Sequence, residues 1–223
     1  MRQAMTPATP STPAQHNRYA RMLQVATSML ATGGEETLQM KELAERAEVS
    51  LATLYRYFPA KDHVLLALSY SRYENALRRV RGEAPQGRTV QERVTSHLLR
   101  EFRAEQRDQL LTAALARVLT DTRPEYSQGI AKVEWLHMQV LEHVATAGGP
   151  ASDDLRRRLR IVADVFGAAT RRWLAGVSSA AEARFEIRMG CYLLSAPERV
   201  TAGATADTTV RSAFPAEPVA DSR

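Results

Sequence analysis

Residues 49–65, VSLATLYRYFPAKDHVL, bring together side chains suited to contact a nucleic acid. Thr53, Tyr55 and Tyr57 carry hydroxyls, which can donate to phosphate oxygens or meet base edges. Lys61 adds an ammonium group that attracts phosphate. A short helix with this polar and aromatic set is unusual in a protein core, and it fits the major groove of DNA.

The helix that carries these side chains has defined ends. Ser50 is a suitable N-cap, because its hydroxyl can accept hydrogen bonds from the free backbone N–H groups of the first turn. Pro59 ends the helix, because proline has no backbone donor and collides with the preceding turn. Leu54 is apolar, and we expect it to point toward a core while its neighbours face outward.

A second arrangement that could do chemistry is Glu134-x-x-His137, the spacing of carboxylate and imidazole ligands in di-iron helix bundles. Such a site needs a second pair, and the sequence contains no other Glu-x-x-His. The histidines and the one cysteine form no zinc-binding spacing, and no phosphate-cradling glycine loop occurs. We therefore expect no metal, no cofactor and no catalytic residues. The alternative is a helical small-molecule-binding or metal-dependent enzyme with a vestigial DNA domain.

A basic run, Arg156-Arg157-Arg158 with Arg160, lies within one predicted helix. It could attract an anionic ligand such as a CoA phosphate, or it could be a solvated helix face. The sequence leaves both interpretations open.

The charge of the chain gives only limited support to DNA binding. The net charge is +5 and the pI is near 9.6, which favours a nucleic-acid partner. Residues 16–62, however, carry six basic and six acidic side chains. Attraction to phosphate must therefore depend on which face carries the charges.

Length and composition limit the class of protein. A chain of 223 residues forms one large domain or two small ones with an ample core. No run of eighteen apolar residues occurs, so we expect no membrane contact. The single cysteine, Cys191, excludes an internal disulfide, and this fits a cytoplasmic location.

Helical periodicity runs through most of the chain, and no strand alternation appears. We therefore expect an all-α protein of about nine helices, with a three-helix N-terminal helix-turn-helix domain and a larger C-terminal helical domain. Terminal residues 1–15 and 196–223 are rich in Ala, Thr and Pro, and they are predicted to be a disordered arm and tail. The predicted helices cover 16–32, 39–47, 50–58, 61–81, 90–103, 108–119, 124–147, 152–177 and 179–194.

Residues 16–66 resemble the DNA-binding domain of the TetR family of bacterial transcription regulators. The resemblance depends on Gly33-Gly34, Leu43-Ala44, Ala47 and Val49, and above all on Thr53-Leu54-Tyr55-x-Tyr57-Phe58-x-x-Lys61. The family usually has histidine or tyrosine followed by phenylalanine at the positions of Tyr57 and Phe58, so this sequence departs little from its pattern.

This resemblance implies a DNA-binding domain at 16–62, with the helix-turn-helix at about 40–59, and a ligand-binding and dimerisation domain at 63–195. It implies a homodimer that binds a palindromic double-stranded operator, and a helix from Lys61 that tilts when an effector binds. The residues expected to contact DNA are Ser50, Leu51, Ala52, Thr53, Tyr55, Arg56, Tyr57 and Lys61.

The C-terminal domain is expected to hold both the effector pocket and the dimer interface. The predicted pocket residues are Phe102, Leu115, Leu119, Trp135, Met138, Phe166 and Trp173, and each of them could instead be plain core. The last two helices are the expected dimer face, because small residues there permit close approach; ordinary intramolecular packing is the alternative. The predicted interface residues are Phe166, Gly167, Thr170, Trp173, Ile187, Cys191 and Leu194.

A second resemblance extends into the C-terminal half. The chain is similar to actinobacterial TetR-type repressors of sterol catabolism in YRYFPAKDHVL (55–65), in Ile161-x-x-Asp164-Val165, and in Trp173-Leu174 followed by Ser179-Ala180. This resemblance implies a small-molecule effector that is lipid-like or an acyl-CoA.

Overall fold

A computed structural model describes residues 9–84 and 86–195, and within these residues the protein is entirely helical, which confirms the predicted fold class. The predicted tail at 196–223 and most of the predicted arm lie outside the described residues. The helices are α1 Pro13–Thr37, α2 Met40–Arg46, α3 Leu51–Tyr57, α4 Lys61–Gly82, α5 Val90–Arg107, α6 Gln109–Leu119, α7 Pro124–Thr146, α8 Asp153–Leu174 and α9 Ala180–Cys191, with a 3-10 turn at Tyr192–Ser195.

The first helix starts earlier than the sequence predicts. Thr12 caps it by accepting a hydrogen bond from the Gln15 backbone N–H, and Pro13 occupies the first turn, where its missing donor costs nothing. The predicted end of the arm at residue 15 is therefore wrong. Gly34 has φ +69°, so α1 is interrupted at the Gly33-Gly34 pair, and a last turn follows that ends at Thr37.

A tight turn joins α2 to α3. Glu48 takes a left-handed conformation with φ +53°, which reverses the chain after Ala47. Ser50 then caps α3, since its hydroxyl accepts from the Thr53 backbone N–H at 3.1 Å. Two short helices joined by this tight turn form a helix-turn-helix.

The N-terminal head, which consists of α1, α2 and α3, shares one hydrophobic core with the larger domain. Residues Leu54 and Phe58 of the head belong to the same buried cluster as Leu115 and Val118 of α6. Helix α4 also runs without interruption from Lys61 across the predicted boundary at 62/63. The head and the larger domain are therefore packed against each other along α4 and α6.

A second core joins α5, α7, α8 and α9. Helices α8 and α9 approach each other closely, since a Cβ at Gly190 would lie only 2.9 Å from the Val165 side chain. The small residue at 190 thus serves packing within one chain.

Candidate nucleic-acid interface and ligand cavity

Helix α3 presents one exposed face formed by its first turns. Leu51, Ala52, Tyr55 and Arg56 are all exposed, and the Tyr55 side chain is 38% exposed. Thr53 is half-buried, and its hydroxyl lies 2.8 Å from that of Ser50. Ser50, Leu51, Ala52 and Thr53 therefore lie at the capped N-terminal end of α3, where free N–H groups favour phosphate, and Tyr55 and Arg56 are exposed in its last turn.

Tyr57 is not on this face. It is only 2% exposed, and its ring packs 5.7 Å from Tyr19 and 6.4 Å from Phe58, centroid to centroid. Leu54, Tyr57 and Phe58 are spaced i, i+3 and i+4, so they form the buried stripe of the helix. The predicted outward, phosphate-contacting position of Tyr57 is wrong, and its role is to hold α3 against α1.

Two substitutions distinguish a packing role of Tyr57 from a phosphate-contacting role. Tyr57→Phe keeps the buried ring, and we expect operator affinity to remain within about threefold of wild type. Tyr57→Ala leaves a cavity and should lower the free energy of unfolding by about 3–5 kcal/mol. Denaturant unfolding and gel-shift titration measure the two effects, and a large loss of DNA affinity in Tyr57→Phe would restore the phosphate role.

Lys61 begins α4, as predicted, but its ammonium already has a partner. Nζ donates to the backbone carbonyl of Glu35 at 3.2 Å and lies 3.9 Å from the Glu35 carboxylate. This carbonyl is in the last turn of α1, where a cation is favourable. A phosphate contact by Lys61 must therefore compete with Glu35.

Glu35 also belongs to an ion-pair cluster that joins the head to the larger domain, here called the Arg117 cluster. It consists of Glu35, Asp62, Arg117, Asp121 and Arg123. Arg117 donates to Glu35 at 2.6 Å and to Asp62, and Arg123 donates to Asp62 and Asp121 at 2.6 Å each. Burial raises the pKa of Asp62, but hydrogen bonds from Arg117 and Arg123 outweigh this and lower it overall.

Sequence reasoning missed the Arg117 cluster. Its members lie as far apart as Glu35 and Arg123, and single charges on helix ends give no signal in one sequence.

A cavity of about 680 Å³ lies between α4, α6, α7 and α8. Four of the seven predicted pocket residues line it, namely Leu115, Leu119, Met138 and Phe166. The other three predicted residues do not line this cavity. Phe102 and Trp173 pack edge to face against each other at 5.2 Å in the neighbouring core, and Trp135 is 43% exposed on α7.

One end of the cavity is polar, which the sequence analysis did not predict. The buried Glu105 carboxylate accepts from the Thr170 hydroxyl at 3.0 Å and lies 3.5 Å from the Arg72 guanidinium. Burial, reinforced by the charge of Glu101, raises the pKa of Glu105 to about 7, and Arg72 offsets only part of this rise.

The Glu134-His137 pair does not form a metal site. His137 stacks on the ring of Tyr73 at 4.5 Å, whereas Glu134 is exposed on the cavity wall. Within residues 9–84 and 86–195, no group of three or more His, Cys, Asp or Glu side chains could hold a metal ion. No observation therefore favours the metal-dependent alternative.

The variant Glu105→Gln tests the polar end of the cavity through the pH dependence of the free energy of unfolding. Folding raises the pKa of Glu105 from 4.5 to about 7, so the protonated carboxyl stabilises the folded state. This contribution to the free energy of unfolding is complete below pH 4.5 and is lost as the pH rises through 7. The loss is about 3 kcal/mol. We expect the variant to lose this decline between about pH 5 and pH 8, as measured by urea unfolding.

The comparison of Glu105→Gln with wild type separates the contribution of Glu105 to the pH dependence of stability from the contributions of His97 and His137. Burial lowers the pKa values of His97 and His137, so their contribution has the opposite sign and is lost as pH falls below 6.5. Glu134→Gln removes an exposed carboxylate from the same cavity and is the matched control. An unchanged pH profile in Glu105→Gln would contradict this account.

The predicted dimer residues are mostly inside the chain. Phe166, Thr170, Ile187 and Cys191 are buried in this protomer, while Gly167, Trp173 and Leu194 are half-buried. The first four are therefore wrong as interface residues, because they already pack against α5, α7 or each other's helices. The exposed apolar side chains of the same two helices and the turn that follows are Ile161, Phe185, Met189, Tyr192 and Leu193.

A helix-turn-helix head, fixed by α4 and α6 to a helical domain with an open cavity, is the architecture of a DNA-binding transcription regulator. Residues 22–68 match the profile of bacterial regulatory proteins of the tetR family, and residues 87–194 match that of tetracyclin repressor-like C-terminal domains. The chain belongs to the TetR family, and the predicted resemblance is confirmed.

Known relatives agree with this assignment. The chain is 34% identical over 187 residues to the HTH-type transcriptional repressor KstR of Rhodococcus jostii RHA1, a match that covers 82% of this chain and 85% of the relative. A TetR transcriptional regulator from Rhodococcus sp. RHA1 superposes with a TM-score of 0.74 at 26% identity, over 81% of this chain and 97% of that one.

A third comparison concerns the fold alone. FadR from Thermus thermophilus, a TetR-family repressor solved in complex with lauroyl-CoA, has a TM-score of 0.63 at 22% identity. The match covers 84% of this chain and 97% of that one.

A search of the described helices for membrane-spanning segments finds none with the length and apolar character that a span requires.

Proposed function

We propose that the protein is a homodimeric repressor that leaves a palindromic operator when a small hydrophobic or acyl-CoA effector occupies its cavity. The observation that carries this proposal is the position of α6. Leu115 and Leu119 of α6 line the cavity, and Arg117 between them pairs with Glu35 and Asp62 at the base of the head.

The path from cavity to head is short. A ligand against Leu115 and Leu119 displaces α6, and Arg117 then pulls on Asp62, in the first turn of α4. Lys61 and Glu35 move with it, since they are paired. Such a ligand shifts the equilibrium only by the difference between its affinities for the two conformations.

The exposed apolar side chains of α9 and of the turn that follows it support a dimer. Phe185, Met189 and Tyr192 are exposed and large, and such a patch marks an interface in a soluble protein. A two-fold axis through this face gives two α3 helices, which read half-sites about 34 Å apart. One α3 alone contacts too few base pairs to select a site.

The cavity supports an elongated or bulky apolar effector. Its volume of about 680 Å³ is in the range of pockets that enclose drug-sized molecules. The relative at 34% identity is a repressor, and a regulator of the same fold binds lauroyl-CoA. Together with the sequence resemblance to sterol-catabolism repressors, these relatives support our proposal of a cytoplasmic regulator that responds to acyl-CoA thioesters, including those of sterol-derived acids.

A gel-shift titration tests the proposal. The protein should bind DNA from the region upstream of its own gene, and an unrelated fragment of the same length is the control. A panel of acyl-CoA thioesters with straight-chain and polycyclic acyl groups is then added. Release of the operator by at least one member, with matching thermal stabilisation of the protein, is the expected result. Operator binding that no member changes would contradict the effector assignment.

A further inference from the structure

Two of the charged side chains on the outward surface of α8 have no partner in their own chain. Arg157 and Asp164 are exposed, and no hydrogen bond or ion pair among the described residues involves either of them. Other charges of the same helix are paired, among them Arg156 and Arg172. Between the two unpaired charges lies Ile161, whose side chain is 50% exposed.

These three residues form one face of α8, here called the α8 outer face. Steps of four and three residues place Arg157, Ile161 and Asp164 within about 60° of each other around the helix. Along the face they are a cation, an apolar side chain and an anion. This order is self-complementary, because a second copy of the helix laid against it in the antiparallel direction brings each cation close to an anion.

The α8 outer face is continuous with the exposed apolar surface of α9. The two helices run antiparallel, since Arg158 donates to the Leu193 carbonyl at 3.3 Å and Val165 lies against Gly190. Ile161 is therefore at the level of Leu193, which is 41% exposed. The apolar surface that we assign to the dimer thus extends across α8, and a second copy of the chain is the partner that fits it.

The α8 outer face also borders the cavity. Asp164, Gly167 and Ala168 of α8 line the cavity, whereas Arg157 and Ile161 do not. Around the helix, Asp164 and Ala168 therefore mark the edge between the cavity and the outward surface. A helix that packs against Ile161 from outside lies along this edge of the cavity.

We propose that a second copy of the chain packs its α8 antiparallel to this face, about a two-fold axis at Ile161, and that the partner's Arg157 pairs with Asp164 at the edge of the cavity. The inference rests on the proposed homodimer. It adds a residue of the second subunit to each effector site, so that both subunits border each cavity. Packed helices lie about 8–10 Å apart, which leaves about 4–5 Å between the two Ile161 Cα atoms.

Charge reversal tests the ion pair between subunits. Asp164→Arg and Arg157→Asp each bring like charges together twice per dimer, and each should raise the dissociation constant of the dimer at least about 10-fold. The double variant Arg157→Asp/Asp164→Arg restores opposite charges, and its constant should return to within about threefold of wild type. Lys132→Glu reverses an exposed charge on α7 and is the matched control. Sedimentation velocity over a range of protein concentrations measures the constants.

A cysteine substitution tests the position of the two-fold axis without changing any charge. Two facing helices at this spacing allow a disulfide, so Ile161→Cys should link the two subunits under mild oxidation. The product appears as a dimer on a non-reducing gel. The native Cys191 is buried, so wild type should remain unlinked, and so should Lys132→Cys on the exposed surface of α7.

Each measurement has an outcome that contradicts the inference. Single reversals that leave the dimer as tight as Lys132→Glu does, or a double variant that fails to restore it, would overturn the pairing of Arg157 with Asp164. An intact dimer in which Ile161→Cys does not cross-link would overturn the axis at Ile161. Both results leave the proposed homodimer standing, whereas a wild type that sediments as a monomer would remove it as well. Unfolding midpoints confirm that each variant is folded.

Discussion

Tyr55→Ala should lower the affinity of the protein for its operator by about 100-fold. Tyr55 is exposed on α3 beside Leu51 and Ala52, and we propose that its hydroxyl donates to a DNA phosphate. A hydrogen bond to a charged group contributes about 1.5 kcal/mol, and a dimer loses it twice. Gel-shift titration measures the change, and Tyr55→Phe separates the hydroxyl from the ring.

The chain offers a close control for this experiment. Tyr70 on α4 is also 38% exposed, so Tyr70→Ala removes an equal aromatic group outside the α3 face. It should leave operator affinity within about threefold of wild type. If Tyr55→Ala binds as tightly as Tyr70→Ala does, the exposed face of α3 is not the DNA interface.

Arg117→Gln should give a repressor that binds its operator but no longer releases it at normal effector concentrations. The substitution removes the contacts from α6 to Glu35 and Asp62 and leaves Leu115 and Leu119 in the cavity wall. Effector binding then displaces α6 without pulling on α4. We expect the concentration for half-release to rise about 10-fold, which corresponds to a coupling of about 1.4 kcal/mol.

Arg172→Gln is the control for this second prediction. Arg172 is as exposed as Arg117 and pairs with Glu186 on α9, away from the head. Both variants should unfold within about 1 kcal/mol of wild type, since exposed ion pairs contribute little. Equal effector sensitivity in the two variants would show that the Arg117 cluster does not transmit the signal.

The sequence predicted the local structure of the head well, because local rules decide it. Capping by Ser50, the stop at Pro59 and the inward position of Leu54 follow from chemistry within one or two turns. The misassignment of Tyr57 shows the limit of the approach. A tyrosine suits both a core and a phosphate contact, and its spacing from Leu54 decides in favour of the core.

Contacts between distant segments could not be predicted in the same way. Helices α8 and α9 have apolar side chains on more than one face, so the sequence indicates that they are packed without showing which face meets a partner. Ile187 lies in the protomer core and Met189 is exposed, only two residues apart. The approach of Arg117 to Asp62 likewise depends on how α6 lies across α4, which no single-sequence pattern records.

The uninterrupted length of α4 determines how far its Lys61 end moves when the helix tilts. Its 22 residues span about 33 Å, so a tilt of about 6° at the Gly82 end displaces the Lys61 end by about 3.4 Å. That distance is about one base-pair step of B-DNA. Two subunits displaced in opposite directions shift their α3 helices by about two steps relative to each other. Ångström-scale adjustments around a bound ligand are therefore enough to put both heads out of register with the operator.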